Sequence, residues 1–269
     1  MSTSLLNQGN SYETVYNNFK WDIPEEYNIA YDVCDRWVED KDRVALVYED
    51  AQKKQKIFYF HDIQRYANQL ANFFTDLGLK KGDVVTLLLA QDPECAIAHV
   101  GCWKAGIISS PCSVLFASDA IKYRLNDCKT KILITDEANY QKVSDIKKDC
   151  PNLEHIILTD TSTNVAGNFW KLIENQSARF TNVVTKSEDV AWISYTSGTT
   201  GMPKGSVQPH RMMLGHMPSL EFIYDFFPKD GDALWSPADW AWMAGLMDIL
   251  MPGWFHGCKV GSCNCNEGV

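Results

Sequence analysis

The sequence predicts an α/β fold with mainly parallel sheets flanked by helices. Three observations carry that expectation. Strand-length apolar runs alternate with amphipathic helical segments between Val44 and Leu158. One of these runs, Val84 to Leu89, is almost unbroken in apolar residues, as a strand covered on both faces must be. A second, Val190 to Tyr195, leads directly into a loop rich in glycine and hydroxyl side chains. Open α/β sheets present ligands at such a place, the carboxyl edge of their strands.

Each element has its own signal. Asn28 to Val38 carries Ile29, Val33, Trp37 and Val38 at helical spacing. Val44 to Tyr48 and Lys56 to Phe60 read as strands. Ile63 to Leu77 is the clearest helix, with Ile63, Ala67, Leu70, Phe74 and Leu77 on one stripe and Gly78 as its terminator. After the turn Lys80-Lys81-Gly82-Asp83 comes the apolar strand from Val84. Asp92-Pro93 opens a helix with proline in its first turn, which runs to Ala105 and stops at Gly106. Strands are then expected at Ile107 to Ser109, Lys131 to Thr135 and His155 to Leu158, and helices at Ser118 to Asp127 and Glu137 to Lys148. Thr159 to Lys186 is polar and weakly patterned, the place for a boundary or a long connection. The expected organisation is a first α/β subdomain over residues 1–165, the start of a second over 166–257, and a divergent tail over 258–269.

Composition bounds the function. The chain has 269 residues, 34 acidic against 25 basic, and a formal charge of −9. That balance argues against a general nucleic-acid partner, because phosphate neutralisation needs an excess of Lys and Arg. Any anion bound here is held by a local device. No run reaches the roughly 18 apolar residues that span a bilayer; Met243 to Phe255 is interrupted by Asp248 and Pro252. Met1 to Tyr12 has neither a basic residue nor an apolar segment, so no targeting peptide is expected. The nine cysteines lack framework spacing and read as reduced thiols in the cytoplasm. Nothing in the sequence sets an oligomeric state.

The local device is Tyr195-Thr196-Ser197-Gly198-Thr199-Thr200-Gly201-Met202-Pro203-Lys204-Gly205. Glycines let successive N–H groups turn toward one point, and such a run of N–H groups makes an anion nest. Thr196, Ser197, Thr199 and Thr200 add hydroxyl donors, and Lys204 adds a full charge. The ligand that suits this cradle is a polyphosphate. A plain Gly/Ser/Thr surface loop is the bland alternative. The P-loop of nucleoside triphosphatases does not fit, because it needs Ser or Thr after its lysine and Gly205 stands there.

This string resembles the signature loop of the AMP-forming acyl-adenylate synthetases, which include acyl-CoA synthetases, luciferases and peptide-synthetase adenylation domains. Ala30-Tyr31-Asp32-Val33, Gly82-Asp83-Val84-Val85 and Ala105-Gly106 are similar to the N-terminal part of that family. Pro237-Ala238-Asp239-Trp240-Ala241-Trp242 resembles its next segment, with Ala241 where the acetyl-CoA and medium-chain acyl-CoA synthetase branch more often has Gly. The resemblance runs over roughly residues 20 to 257 and implies the large N-terminal domain of the adenylate-forming fold, truncated. It implies a short- to medium-chain carboxylic acid, ATP with Mg²⁺, and coenzyme A as co-substrates. The acid attacks the α-phosphorus to give acyl-AMP, and the thiolate then displaces AMP. Thr196, Ser197, Gly198, Thr199, Thr200, Gly201 and Lys204 are carried over as ATP-phosphate residues, with Lys204 as the catalytic group on the leaving phosphates, and Trp242 as a wall of the acyl pocket. The family's aromatic-Gly-x-Thr-Glu segment, whose Glu would hold Mg²⁺, and its ribose-binding Thr-Gly-Asp do not occur in the sequence. The chain by itself is therefore expected to be catalytically impaired and, with half a sheet uncovered, less stable. The alternative reading is a non-catalytic nucleotide- or partner-binding protein.

Three smaller signals complete the reading. Trp235, Trp240 and Trp254 are expected mainly in the core. His210, just after the loop, reads as structural. His256, Cys258, Cys263 and Cys265 lack paired metal-ligand spacing, so no metal site is assigned to them.

Overall fold

A computed structural model of the chain describes residues 4–6, 9, 11–160, 167–196 and 201–263. The helical elements before the first sheet are α1 (Tyr12–Asn18), α2 (Ile29–Val33) and a 3-10 turn (Asp35–Trp37). The chain then forms β1 (Val44–Glu49), β2 (Gln55–Tyr59), α3 (Phe60–Asp76), β3 (Val84–Leu88), α4 (Pro93–Lys104), β4 (Ile108–Pro111) and α5 (Ser118–Asp127). Next come β5 (Ile132–Thr135), α6 (Glu137–Ser144), β6 (His155–Leu158), β7 (Gly167–Asn168) and α7 (Phe169–Glu174). The remainder is β8 (Val190–Thr196), β9 (Lys204–Pro209), α8 (Met212–Ile223), β10 (Ala233–Leu234), α9 (Met243–Gly245), a π-helical turn (Leu246–Leu250), α10 (Met251–Phe255) and β11 (Lys259–Cys263).

The seven-stranded sheet has the order β7-β6-β5-β3-β4-β8-β9 and is parallel except for β9, which returns antiparallel to β8. Every residue of β3 is buried, as its apolar run predicts. One face of the sheet packs on α3 and α4, whose Phe60, Leu70, Ile97 and Trp103 share a core with Val85 and Leu87. The other face packs on α5 and α6, where Ile121, Leu125 and Val143 meet Leu88 and Leu133. Side chains alternate across a strand, and β3 therefore feeds both cores. A four-stranded sheet, β10-β11-β1-β2, stands beside this one. Leu46 of β1 pairs with Val260 of β11 in parallel register.

Lys104 shows how α4 is placed. Buried on every side, its ammonium pairs with Asp35 at 2.5 Å, and the same carboxylate accepts from Gln64 and Asn182. A buried charge is tolerated only when paired and hydrogen-bonded.

Both sheets draw strands from either side of residue 165: β8 and β9 join the sheet of β3 to β6, and β10 and β11 join the sheet of β1 and β2. Residues 259–263, within the stretch expected as a divergent tail, form a strand for which β1 supplies a parallel partner. The weakly patterned stretch after Thr159 contains β7 and α7, whose Phe169 and Ile173 are buried. No described helix is long and apolar enough to cross a membrane.

Candidate functional site

The glycine- and hydroxyl-rich loop is the connection of a hairpin. Thr196, the last residue of β8, is the register partner of Lys204, the first residue of β9. Directly opposed antiparallel residues lie about 4.5–5.5 Å apart, so the two ends of the loop are held together at the edge where β8 leaves the sheet. Ser197, Gly198, Thr199 and Thr200 lie outside the described residues. Gly201 follows with φ +92°, a left-handed conformation that a side chain would strain. Thr196, Gly201 and Lys204 are exposed, and among the described residues Lys204 has no salt-bridge partner.

The loop is braced from α5. Tyr123 donates its hydroxyl hydrogen to the Pro203 carbonyl at 2.8 Å. Tyr195 is buried and donates to Asp127 Oδ2 at 2.7 Å; burial, with Cys128 and Asp127 beside it, raises its phenol above the usual range. The Arg124 guanidinium lies 4.0 Å from the Phe116 ring centroid and 5.4 Å from that of Tyr195. Its Nη1 donates to the Ala120 carbonyl at 2.7 Å. Cation–π contacts of this kind strengthen when desolvated, and only 6% of Arg124 is exposed.

Phe116 connects this bracing to Trp242. The two rings meet edge to face with centroids 6.0 Å apart. Trp242 is 44% exposed and Trp235 57%, whereas Trp240 and Trp254 are buried. The tryptophans therefore divide: Trp240 and Trp254 join the core, as expected, and Trp235 does not. Trp242 stays at the surface at the start of α9. Its segment is held by loops from the sheet. Gln91, after β3, donates through Nε2 to the carbonyls of Ser236 (2.9 Å) and Ala238 (2.6 Å). Ser113, after β4, donates to Asp239 Oδ2 at 2.9 Å. Burial raises the Asp239 carboxyl above its ordinary value.

The carboxyl ends of β3, β4 and β8 thus bring Trp242, Phe116, Arg124 and Lys204 to one side of the molecule. Sequence reading named Thr196, Gly201, Lys204 and Trp242 among its candidates. It missed Phe116, Tyr123, Arg124, Gln91 and Ser113, whose roles come from tertiary contacts. His210 is buried and accepts from the Ile29 N–H through Nδ1 at 3.2 Å. Burial lowers its imidazolium pKa to about 4, which fits the structural role expected of it. Among the described residues no three His, Cys, Asp or Glu side chains converge as metal ligands.

The comparisons with known proteins agree with this architecture. Residues 34–266 match the family described as AMP-binding enzyme. Among curated relatives, the human acyl-coenzyme A synthetase ACSM1, mitochondrial, is 30% identical over 249 residues, covering 89% of this chain and 43% of its own. The acetyl-coenzyme A synthetase of Bacillus subtilis (strain 168) is 28% identical over 263 residues, covering 92% and 45%. A crystal structure of a Brucella canis acyl-CoA synthetase superposes with a TM-score of 0.84 at 22% identity, covering 95% of this chain and 48% of that one. The anthranilate CoA ligase AuaEII in complex with anthranoyl-AMP gives 0.80 at 23% identity, covering 89% and 45%. The chain spans less than half the length of each of these relatives.

Proposed function

The chain belongs to the AMP-binding enzyme family, and from that premise we propose that it carries the ATP-phosphate loop and part of the acyl pocket of an acyl-CoA synthetase. The reaction is the two-step ligation of a short- to medium-chain carboxylic acid to a thiol. A carboxylate oxygen forms a bond to the α-phosphorus as the bond to pyrophosphate breaks. The thiolate of coenzyme A then bonds to the acyl carbon as AMP leaves. The difficulty of the first step is electrostatic, since two anions must meet.

In this reading Lys204 and the N–H and hydroxyl groups of residues 196–201 hold the departing phosphates. Donors fixed in advance at a developing charge are worth roughly 2.7–4 kcal/mol each. Pro203, anchored by Tyr123, fixes the approach of Lys204. Trp242 and Phe116 offer an aromatic surface for the acyl chain. Mg²⁺, when bound with the nucleotide, would supply positive charge that offsets that of the phosphates. Coenzyme A enters the proposal through the family alone. The compartment is also part of the proposal: a chain rich in free thiols suits the reducing cytoplasm, whereas the human relative carries a mitochondrial name.

One observation supports the reading above the others. Thr196 and Lys204 close the mouth of a glycine-bearing hairpin loop, and the lysine has no described counter-ion. The test is thermal unfolding with ATP, AMP, hexanoate and a non-hydrolysable hexanoyl-adenylate analogue. The analogue is expected to stabilise more than AMP or hexanoate does. Trp242→Ala should remove that extra gain and leave the ATP effect in place. An analogue no better than AMP would contradict the acyl-pocket assignment.

A further inference from the structure

A second cleft opens on the same sheet, away from the phosphate loop. From β3 the chain steps to β4 on one side, then crosses back to β5 and continues to β6 on the other. The helix after β3 packs on one face of the sheet and the helix after β5 on the opposite face. The connections part between β3 and β5. Such a topological switch point is where open α/β sheets bind ligands. Here it holds a cavity of about 440 Å³, within the range of roughly 300–1,000 Å³ typical of small-molecule sites. Ala90, Asp92, Pro93 and Glu94 line it after β3, Asp136 and Asn139 after β5, and Asp160 after β6, while β1, β2 and Trp170 close it.

The lining decides the ligand class. Asp50, Asp92, Glu94, Asp136 and Asp160 face one lysine, Lys56. An anion is disfavoured even at the helix starts, because Asp136 already caps α6 by accepting from the Asn139 N–H at 2.7 Å. A metal ion is disfavoured too, since no three of these carboxylates converge as ligands among the described residues. Tyr48, Phe58 and Trp170 add aromatic rings to the wall, a surface suited to an organic cation. Glu94 sits at the junction of the two characters. Trp170 donates its indole N–H to Glu94 Oε1 at 2.8 Å.

We propose that this cleft binds a small organic ammonium ion, a primary amine carrying an apolar or aromatic body. Burial, reinforced by Asp92 and opposed by Trp170 and Lys56, pushes the Glu94 carboxyl up to about 7. An arriving ammonium would hold Glu94 ionised, so binding near neutral pH releases a proton. The site stands apart from the acyl-adenylate reading and does not need it.

Isothermal calorimetry of the full chain tests this with benzylammonium and hexylammonium, with benzyl alcohol and Mg²⁺ as controls. Both amines are expected to bind saturably, and the heat at pH 7 should vary with buffer ionisation enthalpy. Glu94→Gln keeps an acceptor for Trp170; it should weaken amine binding by about tenfold, the order expected for a charge-assisted hydrogen bond, and abolish the buffer dependence. Lys56→Gln removes the opposing charge and should tighten binding, a gain that misfolding cannot produce. Three results would overturn the proposal: no saturable heat with either amine, equal binding of benzyl alcohol, or the same signal from Mg²⁺ alone. Amine affinity unchanged in both variants would overturn it as well.

Discussion

Tyr123 reaches from α5 to the backbone of Pro203, hydroxyl to carbonyl oxygen, at 2.8 Å. One helix thereby holds the trailing side of the loop whose next residue is Lys204. The same helix carries Arg124, stacked between Phe116 and Tyr195, and Phe116 touches Trp242. In the proposed site, α5 joins the phosphate side to the acyl side, so a change at the helix should be felt on both.

Tyr123→Phe removes the hydrogen bond and little volume. The lost bond is worth about 0.5–1.5 kcal/mol. ATP affinity should fall by roughly twofold to tenfold, with a small change in the melting temperature of the free chain. Titration calorimetry of both proteins with ATP measures it.

Gly245 lies under the segment that carries Trp242. A Cβ there would come within 2.5 Å of the Asp239 carbonyl oxygen and closer still to that of Ala238. Backbone must move to admit it. Gly245→Ala should therefore cost about 1–3 kcal/mol, as overpacking does, and displace the loop that Gln91 and Ser113 hold. Denaturant unfolding gives the cost, and the intrinsic tryptophan spectrum reports the displacement.

Lys104→Ala strands the Asp35 carboxylate among Gln64 and Asn182. Breaking a buried pair by removing one partner costs about 3–5 kcal/mol. Replacing both members, with Lys104→Met and Asp35→Leu together, should cost less than Lys104→Ala alone. Urea unfolding of the two proteins decides between these.

The pH profile of stability has two opposed components. Burial lowers His99 to about 3 and His210 and His256 to about 4. Each is neutral in the native state where the unfolded chain would take up a proton, so acidification from about 6.5 downward destabilises the fold. Glu94 acts in the other sense. Its folded pKa of about 7 lies above the ordinary value of 4.5, so its contribution is present below 4.5 and is lost as pH rises toward 7. Glu94→Gln should therefore gain stability relative to the unaltered chain between pH 4.5 and 7, by up to roughly 3 kcal/mol. Chemical denaturation at pH 5 and pH 8 measures the gap, which should be larger at pH 8.

Much of the fold was legible because the segments announce themselves. The almost unbroken apolar run at β3 fits a strand covered on both faces, and every residue of that strand is buried; α5 begins and ends where its pattern and composition change. β9 was not legible. Lys-Gly-Ser-Val-Gln-Pro alternates in no useful way, and it is a strand because β8 supplies its ladder. α8 carries Gly215 and Pro218 within its length, which break the helical signature. β11 depends on β1, a partner more than two hundred residues away. In the site, Thr196, Gly201, Lys204 and Trp242 are written in two contiguous strings. Phe116, Tyr123 and Arg124 act by reaching across space, which no local pattern records.

Thermal unfolding with and without ATP, in the unaltered chain and in Lys204→Ala, bears most directly on the phosphate-loop assignment. At an ATP concentration about 100 times its dissociation constant, the unaltered chain should gain about 2.7 kcal/mol, and Lys204→Ala should lose most of that gain while unfolding normally without nucleotide. Equal stabilisation of both proteins by ATP, or none of either, would contradict it.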